Sequence, residues 1–387
     1  MNIKLLNKAA KKEISFFIQF GGQGAFWYKE FLKYLENPAM KPFYEAVING
    51  IKEGLGYIKS SEALLHGFEL EKWINDPDSL PDEEYLYSAP ISLPMIQAAQ
   101  FAHYENFRLK GYNKDSFVEY SKGASGHSQG LISASFPIYD MPEEEYYETI
   151  KSYTIYLFLM GLRAQETQPG NLATSLEKER ADSLGLTNPA PMAALLGSNH
   201  KQVEKLTDNF NETVAKDEKI YVSLYNTPEN RIISGPRGSL LDFYEKYKEM
   251  LEESKIDFIF LKTSCPFHCD HMLPIREVFN SDMKNIGFEL FGSKLKLPLY
   301  SFFDGRNMQK DEKLAMTFCD ELMIKPLFWE KGILRVIKEN EITHIIDFGP
   351  GKTSQRLSAD ILKSHNCEKP ILSAAVIKDQ KILFETE

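Results

Sequence analysis

The five residues Gly126-His127-Ser128-Gln129-Gly130 read G-x-S-x-G and lie between an extended segment and a helix-like one. That pattern is the nucleophile elbow, a strand-to-helix turn that holds a serine in a strained conformation with its Oγ exposed at the end of a sheet. The flanking glycines belong there because a Cβ would clash with the neighbouring strand and helix. The backbone N–H of Gln129 would point to where an oxyanion forms. A buried serine in a glycine-rich turn gives the same five letters, so the elbow needs partners elsewhere in the chain.

A serine nucleophile needs a base to take its proton and return it to the leaving group. Cys265-Pro-Phe-His268-Cys269-Asp-His271 supplies two of the eight histidines just after a predicted strand, and imidazole titrates near neutrality. Two cysteines and two histidines within seven residues also suggest a metal site. Ligands packed this tightly do not easily wrap one tetrahedral ion, and zinc sites usually draw on two separated pairs. Without the elbow, two structural histidines would explain the segment equally well. Phe20-Gly21-Gly22-Gln23-Gly24-Ala25 is a third candidate, a turn whose glycines let a second backbone N–H approach a substrate. It lacks the G-x-G-x-x-G spacing of a dinucleotide site. Phe348-Gly-Pro-Gly351-Lys352-Thr353 ends like a phosphate loop, but that motif needs a glycine where Ile346 stands. A strand-ending turn with structural glycines is the better reading.

Elements that position these residues can be read around them. Ile14 to Phe20 is a buried strand ending at Gly21-Gly22. Phe26 to Gly54 is helical in pattern, Asp76 to Glu84 an acidic, Pro-interrupted loop, and Leu93 to Arg108 a long helix begun near Pro90 and Pro94. Phe117 to Tyr120 is strand-like, with Lys122 to Ser125 intervening before the elbow. Leu131 to Phe136 opens the elbow helix, and Tyr146 to Gln165 has the apolar helical spacing of a buried helix. Strands at Met192–Leu196, Ile220–Tyr225, Arg231–Ser234 and Phe258–Leu261, with helices at His200–Asn211 and Leu240–Glu253, then follow the order β-α-β-β-α-β of a ferredoxin-like unit. Lys296–Phe303, His344–Phe348 and Pro370–Val376 read as further strands of the larger part. The expected architecture is an α/β-hydrolase-like large subdomain with a parallel sheet, 1–188 and 263–387, carrying an inserted small subdomain, 189–262.

The 387 residues suit one large domain plus a smaller one, and 43% hydrophobic with 26% charged residues is an ordinary globular balance. No run of about 18 apolar residues points to a membrane span. Met1 to Lys12 lacks the apolar core and cleavage site of a signal peptide. Four cysteines suit a reducing cytoplasm better than a disulfide scaffold. The net charge of -10 argues against nucleic-acid affinity, and any acidic ligand would need local basic residues to overcome it.

Taken in order, the segments resemble the acyl-carrier-protein acyltransferases of fatty-acid and polyketide synthesis. Gly22-Gln23-Gly24 resembles the family's G-Q-G, and Gly126 to Gly130 its G-H-S-x-G. Asn226 with Ile232-Ile-Ser-Gly235 resembles N-x-P…V-I-S-G, Pro266-Phe-His268 the histidine segment, and Phe348 to Gly351 the closing G-P-G. The likeness covers nearly the whole chain. Phe303-Asp304-Gly305, Lys325-Pro-Leu-Phe-Trp329 and Asp347 to Gly351 resemble the acetyltransferase domain of fungal-type fatty acid synthases.

The resemblance implies Ser128 as nucleophile and His268 as base, with His271 a bystander. It implies the backbone N–H groups of Gln23 and Gln129 as the oxyanion hole, and a backbone carbonyl near Leu322 in place of a triad carboxylate. Malonyl-specific members carry an arginine after the elbow. Anchored on Gln165 and Pro169, that position falls on Met160, which suits an uncharged acyl chain. A shift of three residues would put Arg163 there and restore a malonyl clamp, although Arg163 could equally pair with Glu166. Phe302 stands where many malonyl transferases have an asparagine, and Asn226 joins the expected substrate residues.

The implied reaction is acyl transfer, acetyl or another uncharged acyl favoured, from coenzyme A to the phosphopantetheine thiol of an acyl carrier protein through acyl-serine. No permanent cofactor or metal, no nucleic acid and no membrane is expected. Malonyl transfer, acyl-carrier-protein thioester hydrolysis and a catalytically silent docking subunit are the rival readings. An unrelated serine hydrolase would call on Asp182 or Asp208 as its acid. A start at Met1 suggests a free-standing protein.

Overall fold

The apolar run before Gly21-Gly22 forms an inner strand of a parallel sheet. The computed structural model describes residues 3–168, 172–339 and 341–387. Met1 and Pro169, the second anchor for Met160, lie outside the described residues. Nine strands form among the described residues: β1 (Phe16–Phe20), β2 (Ser121–Gly126), β3 (Met192–Leu196), β4 (Tyr221–Thr227), β5 (Asn230–Ser234), β6 (Asp257–Phe260), β7 (Leu327–Phe328), β8 (His344–Asp347) and β9 (Ile371–Ser373).

The first sheet has the order β2-β1-β8-β9, every pairing parallel. Parallel sheets are buried on both faces, and all five side chains of β1 are buried. Phe20 lies opposite Gly126, and Gln19 opposite Asp347. The elbow, the Gly21–Gly24 turn and the Gly349–Gly351 turn therefore leave the carboxyl edge of three adjacent strands, the edge where ligands bind in open α/β sheets. Chains distant in sequence meet there because register, fixed by the ladder, aligns the strand ends.

Two expected strands differ. The Phe117–Tyr120 run lies in a helix, Lys114–Glu119, because Asn113 caps it by accepting a hydrogen bond from the Ser116 N–H. The strand feeding the elbow is the next six residues, β2, made of Ser-Lys-Gly-Ala-Ser-Gly. Lys296–Phe303 makes no regular ladder either. Around Pro298, which has no N–H to donate, it touches the outer edge of β2 through the Ala124 N–H to the Pro298 carbonyl and the Tyr300 N–H to the Ala124 carbonyl.

The second sheet has the order β6-β3-β5-β4-β7, with the first four strands mutually antiparallel. Side chains alternate between its faces. Ala193, Leu195 and Ile233 pack under Val203 and Phe210 of helix His200–Asn211 and Leu240 and Phe243 of helix Arg237–Glu253. Met192, Ala194, Leu224 and Ile232 face the other way, into the larger core. Elements on both sides of 189–262 join this unit: Ala181 and Leu186 enter its core, and β7 extends its sheet in parallel to β4.

Asp347 knots the first sheet to its turns. It is fully buried, and burial pushes its carboxyl above the usual range while four hydrogen bonds pull it back. These come from Gln19 Nε2 (2.7 Å), Ser354 Oγ (2.7 Å), Ser373 Oγ (3.0 Å) and the Gly349 N–H (3.0 Å). Replacing it would strand several buried donors, each costing about 1–3 kcal/mol. Asp347→Ala is expected to lose at least about 3 kcal/mol of stability, read as a lowered denaturant midpoint. A variant within experimental error of wild type would show that the knot is not structural.

Candidate active site

Two glycines let the elbow form. A Cβ on Gly126 would overlap the backbone of Gly130 and Leu131, and one on Gly130 would overlap the carbonyls of Phe20 and Gly21. The His127 N–H donates to the Phe20 carbonyl at 2.9 Å, which seats the turn on the end of β1. Between them Ser128 has φ = 53°, in the left-handed region that non-glycine residues avoid. It is followed directly by helix Gly130–Ile138.

Ser128 Oγ lies 2.8 Å from His268 Nε2. His268 is 2% exposed and also left-handed, with φ = 61°. Strained backbone of this kind costs about 1–3 kcal/mol per residue and persists where surrounding structure over-determines it. The Nδ1–H of His268 donates to the Lys325 carbonyl at 2.9 Å, which leaves Nε2 free to accept the serine proton. This carbonyl replaces the one expected near Leu322. Asp320–Ile324 form a π-helical turn closed by the Lys325 N–H to the Asp320 carbonyl, and that turn swings the Lys325 carbonyl onto the imidazole. Neither Asp182 nor Asp208 is the partner of Nδ1. Burial holds the His268 imidazole down at about 4, partly offset by the Lys325 carbonyl.

His127 packs edge-on to Trp329 and shares a 2.7 Å hydrogen bond between its Nε2 and Asn226 Oδ1. Burial lowers its pKa to about 4 as well. Gln23 donates through its side-chain amide to Ser92 Oγ at 2.7 Å, and Gln129 donates to the Leu93 carbonyl at 3.2 Å. Among the described residues the backbone N–H groups of Gln23 and Gln129 have no hydrogen-bond partner.

Ser128 and His268 open onto a cleft of about 430 Å³ shared between the two sheets. Gln23, Gly24 and Thr353 line it from the large side. Met192, Ala194, Leu196, Leu224, Ile232 and Ile259 form an apolar wall from the small sheet. Lys262 is the one lysine or arginine on the wall among the described residues, and its Nζ is held 2.6 Å from Glu83. Phe302 lies on the other side of Ser128, in a void of about 10 Å³ with Leu131 and Glu321.

Other expected residues are placed elsewhere. Met160 is fully buried in the core of helix Tyr146–Thr167 and does not line the cleft. Arg163 is engaged by both carboxylate oxygens of Asp282, at 2.6 and 3.0 Å, and by Glu166 at 2.6 Å, so it is no free clamp. His271 donates to the Lys219 carbonyl at 2.7 Å. Burial raises the Cys265 and Cys269 thiols to about 12, which opposes the thiolate form a metal needs. Among the described residues no group of three or more His, Cys, Asp or Glu is placed to hold a metal, and no helix is long and apolar enough to cross a membrane.

A strained elbow serine facing a histidine, where an α/β-hydrolase-like sheet meets a ferredoxin-like one, places this chain among the acyl-carrier-protein acyltransferases. The family described as "Starter unit:ACP transacylase in aflatoxin biosynthesis" matches residues 18–268, and the chain belongs to it. It is 28% identical over 315 residues to fatty acid synthase subunit beta of Saccharomyces cerevisiae, covering 77% of this chain and 15% of that protein. It is 29% identical over 358 residues to the Schizosaccharomyces pombe subunit, covering 87% and 17%. The chain thus spans about a sixth of the length of these curated relatives. The fold is shared with FabD from Acinetobacter baumannii, at TM-score 0.67 and 18% identity over 96% of this chain and 97% of that one. It is also shared with a malonyl-transacylase solved in complex with its type II polyketide acyl-carrier protein, at TM-score 0.66 and 18% identity over 95% and 99%.

Two outcomes follow from the dyad. Because glycine tolerates the left-handed region, Ser128→Gly is expected to be more stable than Ser128→Ala by about 1 kcal/mol, while neither forms a covalent adduct with an acyl thioester. Chemical melts and intact-protein mass spectra read both. Second, an imidazole can accept the serine proton only when neutral, so with His268 as the base single-turnover acylation is expected to stay level from pH 8 to about 5 and to fall below about 4. A midpoint near the ordinary 6.5 would show that burial does not control this imidazole.

Proposed function

We propose that this chain moves an uncharged acyl group, acetyl first among them, from coenzyme A to the phosphopantetheine thiol of an acyl carrier protein in fatty-acid or polyketide synthesis. Ser128 Oγ attacks the thioester carbonyl carbon while His268 Nε2 takes the hydroxyl proton. The oxyanion is held by the N–H groups of Gln23 and Gln129, collapse breaks the C–S bond, and His268 returns the proton to the leaving thiolate. The pantetheine thiol then gives its proton to His268 and attacks the acyl-serine, and Ser128 leaves reprotonated. The 2.8 Å Ser128–His268 contact supports the nucleophile and base.

The observation that carries the acyl preference is the cleft wall. Met192, Ala194, Leu196, Leu224, Ile232 and Ile259 make it mainly aliphatic, with Asn226 and Asn230 among them, and its one lysine among the described residues is paired with Glu83. A malonyl carboxylate there would have to compete with Glu83 for that lysine, whereas an uncharged acyl group meets the aliphatic side chains without losing hydration of a charge. Asn226 and Phe302 act on either side of Ser128, Asn226 through His127 and Phe302 by closing the space behind the nucleophile. The inserted unit, 189–262, serves as the apolar half of the site. The four free thiols accord with action in a reducing cytoplasm.

Brief incubation with acetyl-, malonyl-, hexanoyl- and palmitoyl-coenzyme A, followed by intact-protein mass spectrometry with Ser128→Ala as control, tests this reading. An adduct from uncharged donors, lost in the mutant, is the expected result. An adduct from malonyl-coenzyme A alone would overturn the acyl preference and require a cation released from its pair. Coenzyme A release with no adduct from any donor, at a rate indifferent to carrier protein, would make the chain a hydrolase.

A further inference from the structure

Both residues whose backbone N–H groups serve the proposed oxyanion hole are anchored by their side chains to the same helix, Ala89–Leu109, at consecutive positions. Gln23 donates to Ser92 Oγ and Gln129 to the Leu93 carbonyl. Two turns further along, on the same side, stands Gln100, fully buried. Its Nε2 donates to the carbonyls of Gly21 and Gly349, and its Oε1 accepts from Ser133 Oγ of the elbow helix. The Gly21 N–H closes the loop by donating to the Gly349 carbonyl at 2.8 Å.

One carboxamide thus ties together the turn that presents Gln23, the helix that begins at Gln129 and the closing Gly-Pro-Gly turn. It uses both its hydrogens and its oxygen to do so. An apolar residue of the same size would pack as well but make none of these bonds. Since the carboxamide and its partners all lie outside the cleft lining, substrate contact does not explain them.

We infer that Gln100, with Ser92, positions the oxyanion hole: the helix Ala89–Leu109 is a frame that sets the distance between the Gln23 and Gln129 N–H groups. This rests on the reading of Ser128 as an acylated nucleophile. Neither residue touches the reacting atoms, so both act through the backbone they hold. Oxyanion donors work by preorganisation, and a misplaced donor loses most of its effect on the transition state while ground-state binding is little changed.

Gln100→Met keeps the volume and removes the three bonds, and Ser92→Ala frees only the Gln23 side chain. The test is pre-steady-state acylation of each variant by whichever of the four coenzyme A donors labels wild type fastest, at several pH values, with thermal melts as the fold control. Wild-type labelling by any donor upholds the acyl-serine reading on its own, and its absence fails that reading rather than this one.

For Gln100→Met the maximal rate is expected to fall about 10- to 100-fold. The half-saturating donor concentration should stay within about twofold and the acidic midpoint should not move, since His268 is untouched. Ser92→Ala should show a smaller fall of the same kind. A wild-type rate in folded Gln100→Met would overturn the inference. So would a variant in which rate, half-saturation and pH midpoint all shift together, the signature of a general structural role. If Gln100→Met does not fold, an unchanged maximal rate in Ser92→Ala overturns it.

Discussion

The reactive geometry of this chain depends on how closely the elbow backbone approaches the end of β1. Gly130 sits against the carbonyls of Phe20 and Gly21, with no room for a side chain, and the His127 N–H bonds to the Phe20 carbonyl. That approach brings Ser128 and the Gly21–Gly24 turn into register through backbone contacts. It also forces Ser128 into the left-handed region. The strain is confined by an unusually polar support for a buried sheet edge: Asp347 with its four donors, and Gln100 with its three bonds. Fully satisfied buried polar networks of this kind specify one arrangement where apolar packing would allow several.

Electrostatics in the site come from burial more than from charge. Among the described residues no carboxylate hydrogen-bonds His268, and its Nδ1–H meets a peptide carbonyl instead. A carboxylate partner would raise the imidazole pKa. A carbonyl raises it less, so burial keeps the imidazole neutral well below pH 7 and, in the proposed role, available as a base over a wide range at the expense of a weaker proton affinity. Glu321, a buried acid lining the void beside Ser128, is occupied by Ser301, Arg306 and Lys325. Its ion pair with the Lys325 ammonium braces the residue whose carbonyl orients His268. This charged network reaches His268 through the Lys325 backbone, not by a side-chain contact.

Much of this was legible in the sequence, for reasons that differ by element. The small unit is built of short apolar runs between charged helices, and its strands formed within a residue or two of those runs. β2 did not, because a strand that supports an elbow is built from Ser, Gly and Ala to admit its neighbours, and such residues carry no strand signal. The preceding aromatic run drew the strand assignment to residues that Asn113 commits to a helix. The orienting carbonyl belongs to Lys325, three residues past Leu322, where the chain leaves a π-helical turn at Asp320–Ile324 that no pattern announces. Gln100 carries no motif at all. A buried glutamine in a long helix is visible only once the three segments it joins are seen together.

The position of Arg163 shows why spacing alone misleads about selectivity. An arginine near an elbow acts as a carboxylate clamp only if its own carboxylates are elsewhere. Here Asp282 takes both arms of the fork and Glu166 a third hydrogen bond, so exposing the guanidinium to an acyl group would first break a part-buried bidentate pair. Arg163 in any case does not line the cleft. The proposed preference for an uncharged acyl group thus rests on two surfaces at once: the second sheet, which supplies aliphatic area, and helix Tyr146–Thr167, whose arginine is held by Asp282 and Glu166.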